Sequence, residues 1–247
     1  MIVLFTDFGW SGPYVGQMHA VLAREGVADS VIDLMHDAPS FDPLASGHLL
    51  AALAPSMPVG TIFVGVIDPG VGTSRAPVVV EADGQWFAGP DNGLFDVVSA
   101  RAVDTRWWRI TCAPERQSVT FHGRDLFAPV AAHIARGGAV PGRALALPQY
   151  PQDAEADRGA VIYIDAFGNA VTGLRPPKNR IVPVLNVAGR CLSRRRTFAD
   201  AASGEAMWLI NSMDLVEIAV NRGSAAGTFG LTVGTRVNWG TSRHERG

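Results

Sequence analysis

The alternation of short apolar runs with segments of helical periodicity near the N-terminus restricts the fold more than any other feature of this chain. Residues 1–5, 31–34 and 61–67 are rich in aliphatic and β-branched side chains, which predicts buried strands. Between them, 14–25 and 43–53 carry apolar residues at helical spacing. Strands and helices that alternate at this length form parallel βαβ units, so we expect an α/β domain with a mostly parallel sheet.

The composition changes near residue 150, which indicates a second domain. The polar segment 151–158 has three acidic residues close together and no periodicity, as is typical of a linker. We therefore predict a Rossmann-like α/β domain over 1–150 and an all-β barrel or sandwich over 159–247. The first domain also carries a hairpin around Asp83-Gly84 and helices near 94–100 and 125–135. The second has five short β-type runs, at 160–164, 181–187, 206–210, 215–219 and 231–237.

Composition and charge exclude several classes of protein. The 247 residues include 21 Lys or Arg and 23 Asp or Glu, and the formal charge of −2 offers no general attraction to nucleic acid. The two cysteines, Cys112 and Cys191, predict neither a disulfide framework nor a zinc site and favour a cytoplasmic protein. Prolines and a glycine interrupt the apolar stretch 49–67, and the N-terminus has no basic region. We therefore expect neither a membrane span nor a signal peptide.

Three aspartates follow predicted strands directly. Asp7 comes after the first strand, Asp68 after the third, and Asp91 after the hairpin. In open α/β sheets the ligand crevice lies outside the carboxyl ends of the strands, so these turns are expected to converge on one site. Each aspartate taken alone is better explained as a helix cap or an Asx turn. The coincidence of Asp7 and Asp68 at two strand ends favours a functional site.

Two basic side chains are candidates for the same site. The glycine-rich segment 70–75 suits a phosphate group, but it lacks the Gly-Lys-Ser/Thr ending of a Walker loop. A better interpretation is that Arg75 folds back on Asp68 and keeps its carboxylate ionised. His122 precedes a predicted helix and is either a structural hydrogen-bonding residue or a proton-transfer group.

Other polar clusters are less specific. The residues Asp33, His36 and Asp37 do not have metal-ligand spacing, so we interpret them as a solvated loop and expect no metal. In the second domain, a turn between two β runs holds Phe167 beside Asn169. Such residues are common in hairpins, but together they can also stack on a heteroaromatic base and hydrogen-bond to it.

Long segments distributed over nearly the whole chain carry a resemblance to a known family. They are TDFG with YVGQMHAVL, DxxHDAPSFD, GTIFVGVIDPGVGTSR, GPDNGL, FHGRDLFAPVAAHIA, DAFGN and INSMDLVEIAVNRGSAA. In this order they resemble the S-adenosylmethionine hydroxide adenosyltransferases, relatives of the fluorinase and the chlorinase. The resemblance implies an α/β domain, a C-terminal β-barrel, and a homotrimer with ligand sites between neighbouring subunits. It also implies that S-adenosylmethionine and water give adenosine and L-methionine without a cofactor.

The resemblance assigns roles residue by residue. The family's catalytic Asp, Arg and His match Asp68, Arg75 and His122. The remaining matches bind substrate, with Asp7 for the ribose, Phe41 as an aromatic wall, and Asp165, Phe167, Asn169, Ser212 and the backbone of Arg222 for methionine and adenine. Two positions in the second domain depart from the family pattern, namely Gly173 and the pair Met213-Asp214. Both departures concern the methionine and adenine contacts and leave the catalytic residues intact.

Three other functions compete with hydrolysis of S-adenosylmethionine. A halide-dependent enzyme matches less well, because the fluorinase has Tyr and Ser in place of His122 and Gly123, Tyr in place of Asp68, and a long insertion at the hairpin. An ionised Asp68 would also repel halide. A non-catalytic S-adenosylmethionine or adenosine sensor would bind without turnover. A nucleotide phosphohydrolase would need metal and phosphate ligands that the sequence lacks.

Overall fold

A computed structural model describes residues 1–27, 31–112, 118–146, 150–151, 153–177 and 184–240. The chain divides into two compact units, Met1–Glu155 and Ala156–Gly247. In the part of the chain that is described, no helix is both long enough and apolar enough to cross a membrane.

The N-terminal unit is a seven-stranded sheet with helices. Its elements are β1 (Ile2–Thr6), α1 (Tyr14–Arg24), β2 (Val31–Met35), α2 (Pro43–Leu53), β3 (Ile62–Val66), β4 (Pro77–Ala82), β5 (Gln85–Pro90), α3 (Asp96–Arg101), β6 (Thr105–Ile110), α4 (Ala128–Ala135) and β7 (Gly142–Ala144). The strand order is β2-β1-β3-β5-β4-β6-β7. The four strands β2, β1, β3 and β5 are parallel neighbours, whereas β4, β6 and β7 pair in antiparallel fashion. The expected α/β unit with a mostly parallel sheet is confirmed.

Local sequence explains most of these elements. Every residue of β1 and β3 is buried, as expected for central parallel strands covered on both faces. The α2 helix begins at Pro43, and the Asp42 carboxylate caps it by accepting a hydrogen bond from the Ala45 amide at 2.9 Å. At the predicted hairpin, Asp83 and Gly84 both have positive φ, 48° and 80°. This is the type I′ geometry that favours Asp-Gly between twisted strands.

Two strands and the start of one helix differ from expectation. The predicted elements include neither β6 nor β7: the β6 sequence TRWWRI mixes arginines with tryptophans in no regular alternation, and β7 has only 3 residues. The helix predicted over 125–135 is regular only from Ala128. Before it, Gly123–Phe127 forms a π-helical turn that begins immediately after His122.

The C-terminal unit contains two antiparallel sheets. Its elements are β8 (Arg158–Ile164), β9 (Ala170–Gly173), β10 (Val184–Val187), β11 (Arg190–Leu192), β12 (Ala206–Ile210), β13 (Val216–Val220), α5 (Ala225–Phe229) and β14 (Val237–Gly240). The sheet orders are β12-β13-β9-β8 and β11-β10-β14. Trp208, Ile218 and Leu185 lie in the core. Isolated bridges join Ala160 to Arg236 and Arg194 to Trp208.

The β-rich character of this unit agrees with the prediction, but one strand was misplaced. The run 231–237 is wrong as a strand, because the chain turns there and β14 begins only at Val237. Just before it lies the unexpected helix α5, which Ser224 caps through the Gly227 amide at 2.9 Å and which ends at Gly230 in the left-handed conformation. Of the predicted strand 181–187, residues 181–183 lie outside the described residues.

Candidate active site

The carboxyl ends of β1 and β3 bring Asp7 and Asp68 to the same edge of the sheet. The two strands are parallel and in register, with Thr6 opposite Val66, and each aspartate follows within two residues of its strand. A backbone hydrogen bond from Asp7 to Val66 at 3.4 Å keeps the strands together to their ends. Strand topology therefore places two carboxylates that are far apart in sequence at one crevice.

Arg75 connects Asp68 to His122. Its Nε donates to Asp68 Oδ1 at 2.9 Å, and its Nη2 donates both to Asp68 Oδ2 and to Nδ1 of His122, the latter at 2.8 Å. The side chains of Asp68 and Arg75 are only 5% and 9% exposed, and the guanidinium also lies 5.3 Å from the centre of the Phe127 ring. A paired guanidinium and carboxylate shielded in this way hold each other in a defined orientation.

The contact with Arg75 determines the protonation of His122. Guanidinium nitrogens donate and cannot accept, so Nδ1 of His122 must accept the hydrogen bond and carries no proton. The ring is then neutral with its proton on Nε2. Burial, followed by the positive charge of Arg75, lowers the pKa of His122, and the opposing effects of Asp68 and Asp125 are smaller. Both observations indicate a neutral imidazole near pH 7.

The loop between Asp68 and Arg75 is wound on itself. The amide of Val71 donates to Asp68 O at 3.2 Å, the amide of Thr73 to Gly70 O at 3.1 Å, and the Thr73 hydroxyl to the same Gly70 carbonyl at 2.6 Å. Gly72 has φ 81°, which only glycine adopts without strain. Because two of its amides are used internally and Arg75 is turned toward Asp68, this loop is not arranged as a phosphate cradle.

Asp7 and Phe41 line the same cavity as Asp68 and His122. The Phe41 amide donates to Asp7 Oδ2 at 3.3 Å, and the Phe41 ring is 77% exposed on a backbone with φ 62°. Burial raises the pKa of Asp7, an effect that hydrogen bonds from backbone amides partly offset. A cavity of about 120 Å³ is lined by Asp7, Phe8, Phe41, Val66, Asp68, Val71, Thr120, Phe121, His122 and Gly123.

The third aspartate turn has a different role. Asp91 does not line this cavity, and its neighbour Asn92 donates from Nδ2 to the carbonyl of Ile67 at 2.8 Å. That bond fastens the β5 turn to the residue immediately before Asp68. The turn therefore supports the position of Asp68, and Asn92 is a supporting residue that the sequence did not reveal.

The interpretation of 33–37 as a solvated loop is wrong for His36. Its ring is fully buried, with Nδ1 2.8 Å from Thr6 Oγ1 and Nε2 3.0 Å from Asp33 Oδ1. The side chain packs beneath the loop that carries Asp7, where β1 and β2 are neighbours. Within the described ranges, no group of three or more His, Cys, Asp and Glu side chains is arranged to hold a metal ion.

In the C-terminal unit, the predicted contact residues occupy three turns, which follow β8, β12 and β13. Asp165 holds its own turn by accepting from the amides of Phe167 at 2.9 Å and Asn169 at 2.8 Å. Asn169 is buried and donates from Nδ2 to Asp165 Oδ2 at 2.9 Å, whereas the Phe167 ring is 79% exposed. Ser212 and Arg222 are exposed, and Arg222 has φ 58°. The turn therefore combines a rigid polar frame with an exposed aromatic ring.

One buried carboxyl group in the same unit has no counterpart among the predicted residues. Glu217 on β13 is 7% exposed and accepts from Asn211 Nδ2 at 3.1 Å. Burial raises its pKa, and the charge of Asp165 adds to that effect while the Asn211 hydrogen bond opposes it. The signal in the sequence is an acidic residue within the otherwise apolar run LVEIAV, which is unusual for a buried strand.

Comparison with known proteins gives consistent matches over both units. Models described as the SAM hydroxide adenosyltransferase N-terminal and C-terminal domains match residues 2–142 and 159–238. The chain is 37% identical to an (R)-S-adenosyl-L-methionine hydrolase of Thermus thermophilus, over 96% of this chain and 98% of that protein. It is 36% identical to a protein of the same name from Salinispora arenicola, over 94% of each. Similarity to a fluorinase of Actinopolyspora mzabensis is lower, at 25% identity over 96% of each chain.

Solved structures match the fold over the same length. An uncharacterised conserved protein from Thermotoga maritima superimposes with a TM-score of 0.83 at 30% identity, over 96% of this chain and 98% of that one. A conserved hypothetical protein from Thermus thermophilus gives a TM-score of 0.76 at 34% identity, with the same coverage.

Proposed function

The chain belongs to the SAM hydroxide adenosyltransferase family, and on that premise we propose that Asp68, Arg75 and His122 direct water onto C5′ of S-adenosylmethionine. The enzyme hydrolyses S-adenosylmethionine, and adenosine and L-methionine are the products. The observation that carries the role of these three residues is the bridge that Arg75 makes between Asp68 and His122 at the cavity.

The chemistry of the substrate decides what the protein must supply. The sulfonium leaves as a neutral thioether, so the leaving group needs neither a general acid nor a metal, and the proposed reaction uses no cofactor. Water must instead be held opposite sulfur at C5′. Alignment of this kind supplies roughly 7 to 11 kcal/mol of barrier reduction in favourable intramolecular reactions. A cavity whose polar groups are held by their neighbours suits this task.

Asp68 is the better candidate to take the proton from water. The single unprotonated nitrogen of His122 already accepts from Arg75, so protonation there would break that contact. The carboxylate oxygens of Asp68 each retain a lone pair beyond their bond to Arg75. We assign Asp68 the role of base, His122 the role of a donor through its Nε2 proton, and Arg75 the role of orienting both.

The same arrangement disfavours a halide as nucleophile. Asp68 is a shielded anion at the position where the nucleophile would bind, and it repels chloride or fluoride while accepting a hydrogen bond from water. The lower identity to fluorinases is consistent with this interpretation. We therefore place the chlorinase-like alternative second. We place the non-catalytic sensor third, because the buried ion pair of Asp68 and Arg75 is arranged for catalysis as well as for binding.

Substrate contacts are proposed from both units. Asp7 would accept hydrogen bonds from the ribose hydroxyls and Phe41 would form an aromatic wall. The contacts to adenine and methionine would come from Asp165, Phe167, Asn169, Ser212 and the backbone of Arg222. The names of the hydrolase relatives specify the R configuration of S-adenosylmethionine, and we propose that this enzyme prefers the same epimer. A preference is expected because inversion at sulfur exchanges the positions of the methyl group and the methionine chain.

We also propose a homotrimer with each site at an interface between copies. Phe41 and Phe167 are large, exposed aromatic side chains, which is typical of surfaces that a ligand or another subunit covers. Charge is also divided unequally: residues 1–155 have 16 acidic and 9 basic residues, and 156–247 have 7 and 12. Opposite net charges favour contact between the N-terminal unit of one copy and the C-terminal unit of another.

The isolated bridges at Ala160–Arg236 and Arg194–Trp208 link edge segments of the two C-terminal sheets, and we propose that together the sheets form a barrel. The two cysteines are free and exposed, which suits the reducing cytoplasm where we expect the enzyme to act.

Product analysis tests the proposal. The purified protein is incubated with S-adenosylmethionine in chloride-free buffer and in buffer with chloride, and the nucleosides are separated by chromatography. We expect adenosine and methionine in both buffers. A 5′-chloro nucleoside that forms only with chloride would assign the protein to the halogenases, and binding without product would identify a sensor. Repeating the reaction with each sulfonium epimer tests the R preference.

A further inference from the structure

A continuous set of hydrogen bonds runs beneath the loop that carries Asp7. Thr6 Oγ1 lies 2.8 Å from His36 Nδ1, and His36 Nε2 lies 3.0 Å from Asp33 Oδ1. The Nε2 of His19 lies 2.8 and 3.0 Å from the two carboxylate oxygens of Asp33. The side chains of Thr6 and His36 are completely buried, whereas those of Asp33 and His19 are 29% and 38% exposed. The set therefore leads from the protein surface to the residue immediately before Asp7.

The polar groups of this set are matched to one another. Although burial opposes it, hydrogen bonds from His36 and His19 hold the pKa of Asp33 below its usual value, so its carboxylate accepts. The Nε2 of His36 donates to Asp33, and the Nδ1 of His36 shares a second hydrogen bond with the Thr6 hydroxyl. Thr6 Oγ1 in turn accepts from the amide of Phe8 at 3.3 Å. All these polar groups are satisfied in one arrangement.

The backbone fastens the same two segments across Asp7. The amide of Gly9 donates to His36 O at 2.6 Å, and the amide of Ala38 donates to Thr6 O at 3.1 Å. Further along, the Phe41 amide donates to the Asp7 carboxylate. Asp7 therefore lies on a short loop that is held on both sides by the segment beginning at His36. A shift of the His36 ring would move Thr6, and with it the Asp7 carboxylate.

Other functions for this cluster do not fit the geometry. A Thr–His–Asp sequence of hydrogen bonds is the arrangement of a nucleophilic triad, but Thr6 Oγ1 is sealed from solvent and no substrate can reach it. A metal site is not formed either, as reported above for the described residues. A buried, fully hydrogen-bonded histidine behind a binding loop instead keeps that loop in one conformation.

We propose that Thr6 and His36 are positioning residues that hold the Asp7 loop in the conformation that receives the ribose hydroxyls of the substrate. This inference rests on the proposed function, in which Asp7 binds the ribose. Neither residue contacts substrate, since both are completely buried. Their effect is expected on recognition of the 2′ and 3′ hydroxyls and not on the departure of methionine.

Thr6→Val tests the inference, because valine has nearly the same shape and lacks the hydroxyl. We expect KM for S-adenosylmethionine and the inhibition constant of adenosine to rise by roughly three- to tenfold, the equivalent of one hydrogen bond. A change in kcat of less than about threefold is expected, since the reacting groups stay in place. Inhibition by 2′,3′-dideoxyadenosine, which lacks both hydroxyls, should not change. Thr6→Ser, which keeps the hydroxyl, should restore the wild-type values.

The control is Thr172→Val in the C-terminal unit. Thr172 is likewise completely buried, donates to Val216 O at 2.8 Å, and accepts from the amide two residues later at 3.2 Å. Its loss should affect stability alone. If both valine variants raise KM equally, or if the affinities of Thr6→Val for adenosine and for dideoxyadenosine fall together, the positioning role is overturned.

A double-mutant cycle separates positioning from general destabilisation. In an Asp7→Asn background, Thr6→Val should have no further effect on adenosine binding, because the two changes act through one contact. Additive effects would overturn the inference. Should Thr6→Val fail to fold, His36→Asn takes its place in the same cycle. The proposed function is overturned by a different result, namely that the wild-type protein forms no adenosine. In that case, calorimetric titration with adenosine and with dideoxyadenosine still tests the role of Thr6.

Discussion

Replacement of Asp68 by asparagine separates the chemical role of this residue from its role in binding. The substitution keeps the shape of the side chain and removes its charge. If Asp68 takes the proton from water, kcat should fall between about 100- and 10,000-fold, the usual contribution of a positioned base. At 1.36 kcal/mol per factor of ten, this corresponds to about 3 to 5 kcal/mol of the activation barrier. Adenosine binding should persist, because we assign ribose recognition to Asp7.

The same substitution also has a cost in stability. Arg75 is 9% exposed and would lose its charged partner. Removing one member of a buried ion pair costs about 3 to 5 kcal/mol, and we expect a value near the lower limit because the asparagine oxygen still accepts from Arg75. The control is Asp104→Asn, whose carboxylate lies 3.8 Å from Arg106 in an exposed pair. The free energy of unfolding of that variant should lie within about 0.5 kcal/mol of the wild-type value, and its kcat should be unchanged.

The assay combines single-turnover formation of adenosine, calorimetric titration with adenosine, and urea unfolding. Single-turnover conditions isolate the chemical step from product release. The assignment of Asp68 as the base is refuted if kcat stays within about threefold of the wild type. It is also refuted if adenosine affinity falls as much as kcat, because the variant would then have lost the site as a whole.

Four further outcomes are expected from the structure and the proposed reaction. The pKa of His122 is lower in the folded protein, so the unfolded chain binds more protons at this residue as pH falls through about 6.5. The free energy of unfolding should therefore decrease over that window, and it should decrease less steeply in His122→Asn. Arg75→Gln should raise the His122 pKa, measured by NMR titration of the ring; an unchanged value would contradict the role of the guanidinium. Gly84→Ala should lower the free energy of unfolding by about 1 to 2 kcal/mol, because Gly84 has φ 80° and a Cβ would approach Val59 to 3.0 Å. An unaltered urea midpoint would argue against backbone strain at this position. A chelator should leave the rate of adenosine formation unchanged, whereas a loss restored by added metal would disprove the metal-free reaction.

Short-range patterns in the sequence were sufficient for the framework. The periodicity of 14–25, the proline at position 43 and the Asp-Gly pair at 83–84 are local signals, and each led to the correct element. The placement of Asp7 and Asp68 at one edge also followed from sequence, because parallel strands of a βαβ unit end on the same side. The resemblance of the longer motifs then identified the family.

The contact of Arg75 with Asp68 was predicted from the sequence and is confirmed, but tertiary structure decided which other side chains meet. Arg75 and His122 are 47 residues apart, and Thr6 and His36 are 30 apart, so no local pattern links them. The burial of His36 depends on the neighbouring position of β1 and β2, and its sequence context of polar residues suggested a solvated loop instead. The pairing that sets the protonation of His122 likewise exists only after the sheet has brought the β3 loop and the π-helical turn together. Local sequence determines the elements through short-range sterics and burial periodicity, whereas the site depends on contacts between elements that form only when the chain packs.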